Sequence, residues 1–173
     1  TIMSAGYNFG AKINAGEIRV DDTAYTSSDD IWLINSSVPG QTTLSLNPYP
    51  GLIAQFWTGN TSSAIGDNGN WFDTGNPLGA AGTKIGVIDD NGANAPEIAF
   101  GGQLNDTEIE VNNSATLVQT NSDLNAIGVT LVLNDTAVYN ATGYTMAWGQ
   151  NAGNASTLTL NDSASLTANH LQV

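Results

Sequence analysis

Sixteen carboxylates, three cationic side chains and one histidine set the chemistry open to this chain of 173 residues. The densest group of oxygen donors is Asp89-Asp-Asn-Gly-Ala-Asn-Ala-Pro-Glu97, where Asp89, Asp90 and Glu97 frame a glycine. Asp67-Asn-Gly-Asn-Trp-Phe-Asp73 is a shorter version with Asp67 and Asp73 at its ends. Oxygen ligands around a glycine that permits a sharp bend suit a flexible hard-cation site, so calcium is the ion these loops would take. Neither loop has EF-hand spacing, and no Gly-Gly-x-Gly-x-Asp nonapeptide occurs. Turn chemistry is the competing account, because Asp, Asn and Gly gather wherever a chain reverses.

Catalysis is not expected. His170 sits in Thr167-Ala-Asn-His-Leu171 with no residues nearby that suggest a triad. Lys12, Arg19 and Lys84 are the only cations, and all precede residue 102, so a lyase-type anion would find little stabilisation farther along. A glycosidase needs two carboxylates, but most of those present fall at turn positions. Trp32, Trp57, Trp71 and Trp148 could stack on surface glycans or could serve as packing. Cysteine is absent, which removes disulfides and thiolate chemistry. A formal net charge of −13 repels phosphate backbones and anionic membranes, so nucleic acid is not an expected partner. No run of 18 apolar residues suggests membrane insertion.

The elements that must position these groups are β-strands. Hydrophobic residues are 40% and charged residues only 11%, with polarity supplied by Asn, Thr, Ser and Gly. That mixture favours turns and short strands over helices. Three segments repeat: Ile109-Glu-Val-Asn-Asn-Ser-Ala115, Leu131-Val-Leu-Asn-Asp-Thr-Ala137 and Leu158-Thr-Leu-Asn-Asp-Ser-Ala164. Their steps are 22 residues (109 to 131) and 27 residues (131 to 158). Alternation inside a step of this size predicts one coil of a β-solenoid, with strands at 130–133, 137–139 and 144–148. The predicted inward set is Leu131, Leu133, Val138, Tyr144 and Met146, then Leu158, Leu160, Leu166, Leu171 and Val173. Asn134 and Asn161 share a corner, where stacked amides can bond from coil to coil. A β-sandwich is the alternative, since its strands also return at short intervals. An ice-binding Thr-x-Thr array fails, because Thr157-Leu-Thr159 meets Thr130-Leu-Val132.

Three regions follow. Residues 1–50 read as an N-terminal β cap or ribbon, residues 51–101 as first coils with a Trp-containing cap, and residues 102–173 as solenoid repeats. Phe56-Trp-Thr-Gly59, Gly66-Asp-Asn-Gly-Asn-Trp-Phe-Asp73, Pro77, Ile85-Gly-Val-Ile88 and the repeats come in an order that resembles passenger-type β-helix proteins of bacterial surfaces. These are the autotransporter-like repeat proteins and the exported proteins with a PEP-CTERM sorting tail. The likeness spans residues 56–173. It implies a right-handed parallel β-helix, a secreted or surface-held location, and a structural or adhesive role.

The expectation is therefore an all-β, extracellular or cell-surface protein that assembles as a fibre or matrix component. Its alternative is a calcium-dependent carbohydrate-binding or adhesion module on a β-sandwich. Eight Asn-x-Ser/Thr sequons, at Asn35, Asn60, Asn105, Asn112, Asn134, Asn140, Asn154 and Asn161, suggest glycosylation. Leu171-Gln-Val173 lies inside a predicted strand, which points to a longer passenger or to a head-to-tail homo-oligomer.

Overall fold

The computed structural model describes residues 2–4, 8–20, 23–24, 32–35, 42–46, 48–49, 51–72, 75–99, 102–149 and 155–173. The chain forms two compact units, Thr1–Gly51 and Leu52–Val173.

In the first unit, β1 (Ile2–Ser4), β5 (Thr42–Leu46) and β4 (Trp32–Asn35) form an antiparallel sheet in that order. Arg19–Val20 (β2) and Thr23–Ala24 (β3) form a two-stranded ribbon. A helix that the composition argued against spans Phe9–Asn14 (α1). Asn8 caps it, its side chain accepting from the Ala11 N–H at 3.0 Å. Phe9 and Ile13, one turn apart, bury one face against Leu44 and Ile18. Tertiary burial overrides weak propensity here. Lys12 and Glu17 pair at 2.6 Å, both partly exposed, and contribute little.

The second unit is a stack of parallel coils. Its strands are β6 (Ile53–Phe56), β7 (Lys84–Ile88), β8 (Glu97–Ile98), β9 (Gly102–Val111), β10 (Thr116–Gln119), β11 (Leu124–Leu133), β12 (Val138–Trp148), β13 (Thr157–Leu160) and β14 (Ser165–Gln172). All pairings between these strands are parallel. The β-sandwich alternative therefore falls, since its sheets are antiparallel. Ile109, Leu131 and Leu158 stand in one column, as the repeat requires. The unit is a β-solenoid.

Each full coil has three faces. The first stacks β6, β7 and the ends of β9 and β11 under β13. The second stacks β8, β10 and the starts of β12 and β14. The third stacks the starts of β9 and β11 against the ends of β12 and β14. The two step lengths have a local cause. Ala126 pairs with Trp148 at a step of 22, whereas Thr130 pairs with Thr157 at a step of 27. The five extra residues thus lie in the corner 149–156, between the third face and the first. Ser156 closes the gap they leave: its hydroxyl donates to the Ala126 carbonyl at 3.0 Å and accepts from the Val129 N–H at 3.1 Å.

The interior corrects part of the predicted inward set. Leu131, Leu133 and Met146 are buried as expected, but Tyr139 occupies the slot assigned to Val138, flanked by buried Ala137 and Ala141. The Asn-Asp-Thr turn ends one residue earlier in the alternation than the sequence reading assumed, which reverses the second face. Tyr144 is at a corner, where its hydroxyl accepts from the Asn121 N–H at 2.9 Å. A register shift between Ala141 and Thr145 places Leu171 beside Met146, not Tyr144. In the last coil Leu158 and Leu166 pack on the core. Leu160, Leu171 and Val173, expected inside, are exposed.

Two polar devices fix the register. Outside, the corner amides form a ladder: Asn161 Nδ2 donates to Asn134 Oδ1 at 2.7 Å, Asn134 Nδ2 to Asn112 Oδ1 at 2.8 Å, and Asn112 Nδ2 to Asp89 Oδ1 at 2.9 Å. All three bonds run toward the N-terminal coils and stop on an acceptor-only carboxylate. Inside, the Tyr139 hydroxyl donates to Gln119 Oε1 at 3.0 Å, and Gln119 Nε2 donates to the Ser122 carbonyl at 2.5 Å.

The ladder has a testable direction. Asn134→Asp places acceptor against acceptor at Asn112 and should cost about 1–3 kcal/mol in urea unfolding. Asp89→Asn keeps an acceptor for Asn112 and should stay within about 0.5 kcal/mol of the parent. Equal losses for the two variants would contradict a directional ladder.

Tyr139 gives a second test. Burial pushes its phenol above the ordinary value of 10.0. The unfolded chain ionises there near pH 10 while the folded chain keeps the proton. This contribution is complete below about pH 10 and falls away as pH rises toward the folded value, by up to roughly 1.4 kcal/mol per pH unit. Urea midpoints between pH 8 and pH 11 should therefore decline less steeply above pH 10 in Tyr139→Phe than in the parent. Parallel declines would assign the loss to other groups.

Candidate functional site

The two predicted cation loops lie at the N-terminal end of the coil stack, around a paired tryptophan. Trp57 and Trp71 meet edge to face, with centroids 5.2 Å apart and an 80° interplanar angle. Both are almost fully buried, at 4% and 2% exposure. Trp71 donates from Nε1 to the Ile65 carbonyl at 2.8 Å. A Cβ on Gly86 would lie 2.9 Å from the Trp71 ring and 2.7 Å from Pro77, so glycine is needed for the ring to seat. Since Gly86 stacks below Ile109 in the interior column, Trp71 and Pro77 fill the space that an ordinary inward side chain would occupy.

Each residue of Gly66-Asp-Asn-Gly-Asn-Trp71 then has a structural reason. Asp67 caps the 3₁₀ turn Asn68–Asn70, accepting from the Gly69 N–H at 3.0 Å and from the Ser62 hydroxyl at 3.1 Å. A side chain at position 69 would strike the Thr61 hydroxyl. Asn70 is wholly buried and completely satisfied. Its Oδ1 accepts from the Thr61 and Ser62 N–H groups, both at 2.8 Å, and its Nδ2 donates to the Ser62 hydroxyl at 2.9 Å and the Ala64 carbonyl at 2.8 Å. Its carbonyl also takes the Thr58 N–H at 2.7 Å and the Thr58 hydroxyl at 2.9 Å. A buried amide of this kind costs stability if any partner is lost.

The 89–97 loop docks on the same centre. Trp57 Nε1 donates to the carbonyls of Asn91 at 3.2 Å and Asn94 at 3.0 Å. Asn94 Nδ2 answers to the Gly59 carbonyl at 2.6 Å. Gly59 and Gly92 both have positive φ, +60° and +59°, and a Cβ on either would come within 2.4 Å of facing backbone. Asp90 accepts from the Gly92 N–H at 2.6 Å in an Asx turn, and Asp89 ends the amide ladder. Glu97 reaches the Thr120 hydroxyl at 3.5 Å, on the next face. Among the described residues no three His, Cys, Asp or Glu side chains come together as a metal cluster. Asp73 lies outside the described residues.

The other sequence-selected residues separate. His170 is exposed on β14, beside Thr145. Trp148 is buried at 4% exposure, and Trp32 lies on β4. Three of the four tryptophans are thus packing residues rather than a platform for glycans. Of the sequons, Asn112, Asn134 and Asn161 are ladder members, while Asn60 and Asn105 are exposed. Sequence reading missed the buried hub at Asn70, though its place one residue before Trp71 was a usable signal.

At the opposite end of the stack, an opening of about 390 Å³ is lined by Trp148, Ser156, Thr157, Leu158, Leu171 and Val173. The buried Trp148 Nε1 above the core has no acceptor. These features define the class to which the second unit belongs: a parallel β-solenoid with a tryptophan plug at one end and apolar side chains exposed at the other. No protein-family model, curated protein or solved structure matches the chain.

The loop bonds lead to one expectation. Asn70→Ala strands two buried N–H donors and should lower unfolding free energy by about 2–3 kcal/mol. Melting of the parent should be the same within a degree in calcium and in excess chelator, because protein donors already occupy these turns. A fall of several degrees on chelation would instead place an ion in the 67–73 or 89–97 loop.

Proposed function

We propose that this protein is an extracellular structural or adhesive scaffold, a component of a cell surface or matrix that works by contact rather than by catalysis. The observation that supports this most is the continuous column of stacked coils held by the Asp89–Asn112–Asn134–Asn161 ladder. Such a stack gives rigid outer faces without disulfides, and rigidity at an exposed surface is its chief physical asset. The surface chemistry agrees. From residue 124 onward the only carboxylates are Asp135 and Asp162, and there is no Lys or Arg. Polarity there comes from Asn, Ser, Thr and Gln, groups suited to neutral partners such as glycans or other protein surfaces. The resemblance of residues 56–173 to passenger-type β-helix surface proteins points the same way.

Antibody labelling of intact producing cells tests the reading. Signal before permeabilisation, removed by brief external protease, is the expected result. Signal that emerges only after permeabilisation would overturn an extracellular role.

A further inference from the structure

The two ends of the coil stack differ in kind. At the N-terminal end Trp57, Trp71 and Pro77 are buried, and the residues left exposed are polar or small: Asn60, Thr61, Gly66 and Asn68. At the other end Leu160 is 47%, Leu171 41% and Val173 99% exposed, around the opening of about 390 Å³. Among the described residues β13 pairs only with β11, and β14 only with β12, so each has one unpaired edge. Unpaired edges flanking apolar side chains are a strong template for association.

Charge selects the occupant. The chain carries −13, yet of its 16 carboxylates only Asp162 lies within residues 155–173, where there is no Lys or Arg. Two copies repel each other through nearly every other surface. This end is where they can approach at small electrostatic cost and with large apolar gain. We propose that the C-terminal end of the coil stack docks on the same end of a second copy, giving a closed two-fold dimer. The inference rests on the scaffold reading for its biological sense and names the first partner of that scaffold.

A two-fold contact uses one patch on both molecules, so each exposed leucine is covered twice per dimer. Strand edges meeting across the axis supply each other with donors and acceptors. The partner's backbone also brings carbonyl oxygens over the opening, the acceptor type that the Trp148 indole N–H lacks. Head-to-tail association, expected from the sequence, would set the apolar end against a plugged and polar one.

Sedimentation velocity of the 173-residue chain at 1–200 µM, in low and high salt, tests the proposal. A single monomer–dimer equilibrium is expected, and it should tighten as salt screens the repulsion between copies. Leu171→Asp, at an exposed position, should weaken the dimer about tenfold or more while leaving the circular dichroism and the melt of the stack intact. Ser114→Asp, exposed on a corner two coils away, should match the parent apart from its added charge. Leu160→Asp provides a second variant should Leu171→Asp perturb the last coil. A monomer at every concentration and salt would overturn the proposal, as would open-ended polymers or tail variants that dimerise as the parent does. None of these results would alter the cell-labelling outcome, so failure of the dimer and failure of the scaffold reading can be told apart.

Discussion

The backbone hydrogen bonds of the second unit run along the stack, from coil to coil, and everything else in it follows from that constraint. In an antiparallel sandwich a strand's partner is often its neighbour in sequence. Here it is the strand one full coil away, at steps of 22 or 27 residues. Each side chain therefore lies on the equivalent side chain of the coil before it. Like must stack on like, or the column loses packing. Isoleucine and leucine repeat at 109, 131 and 158, alanine at 115, 137 and 164, and asparagine at 112, 134 and 161. The sequence repeats because the hydrogen-bond direction leaves each position only a few residue types.

A stack of this kind is exposed at its ends, and the first coils answer that problem with polar precision rather than bulk alone. Two tryptophans fill the interior, but they are held by a lattice of bonds through Asn70, Asp67, Asn91 and Asn94. Glycines at 59, 86 and 92 let backbone and rings come together. The oxygen-rich loops that suggested an ion are components of this plug. Their carboxylates bond to protein donors, and their asparagines hold the neighbouring segment. Turn chemistry and cation chemistry use the same residues, and only the partner of each oxygen distinguishes them.

How much could be read beforehand depended on whether a signal was repeated. The column of residues 109, 131 and 158 and the amide corner were legible because stacking writes them several times. The choice between Val138 and Tyr139 was not, since both are apolar and the preceding turn sets which one faces inward. The bulge between Ala141 and Thr145 was hidden for the same reason: it changes the step by two residues without changing composition. The helix Phe9–Asn14 lies in a segment with a glycine, an asparagine and only six residues, and just its contact with Leu44 makes it stable. Asn70 looked like one more turn asparagine until its four side-chain partners were placed around it.

The corner at 149–156 has a broader meaning for how such proteins diversify. A lone serine oxygen there stands in for a missing peptide unit, so the coil below keeps its donor and acceptor occupied while the main chain swings outward. A column maintained in this way can gain length at one vertex without disturbing its three walls. Evolution, or a designer grafting a recognition loop, could enlarge that vertex freely so long as a hydroxyl remains to bridge the detour.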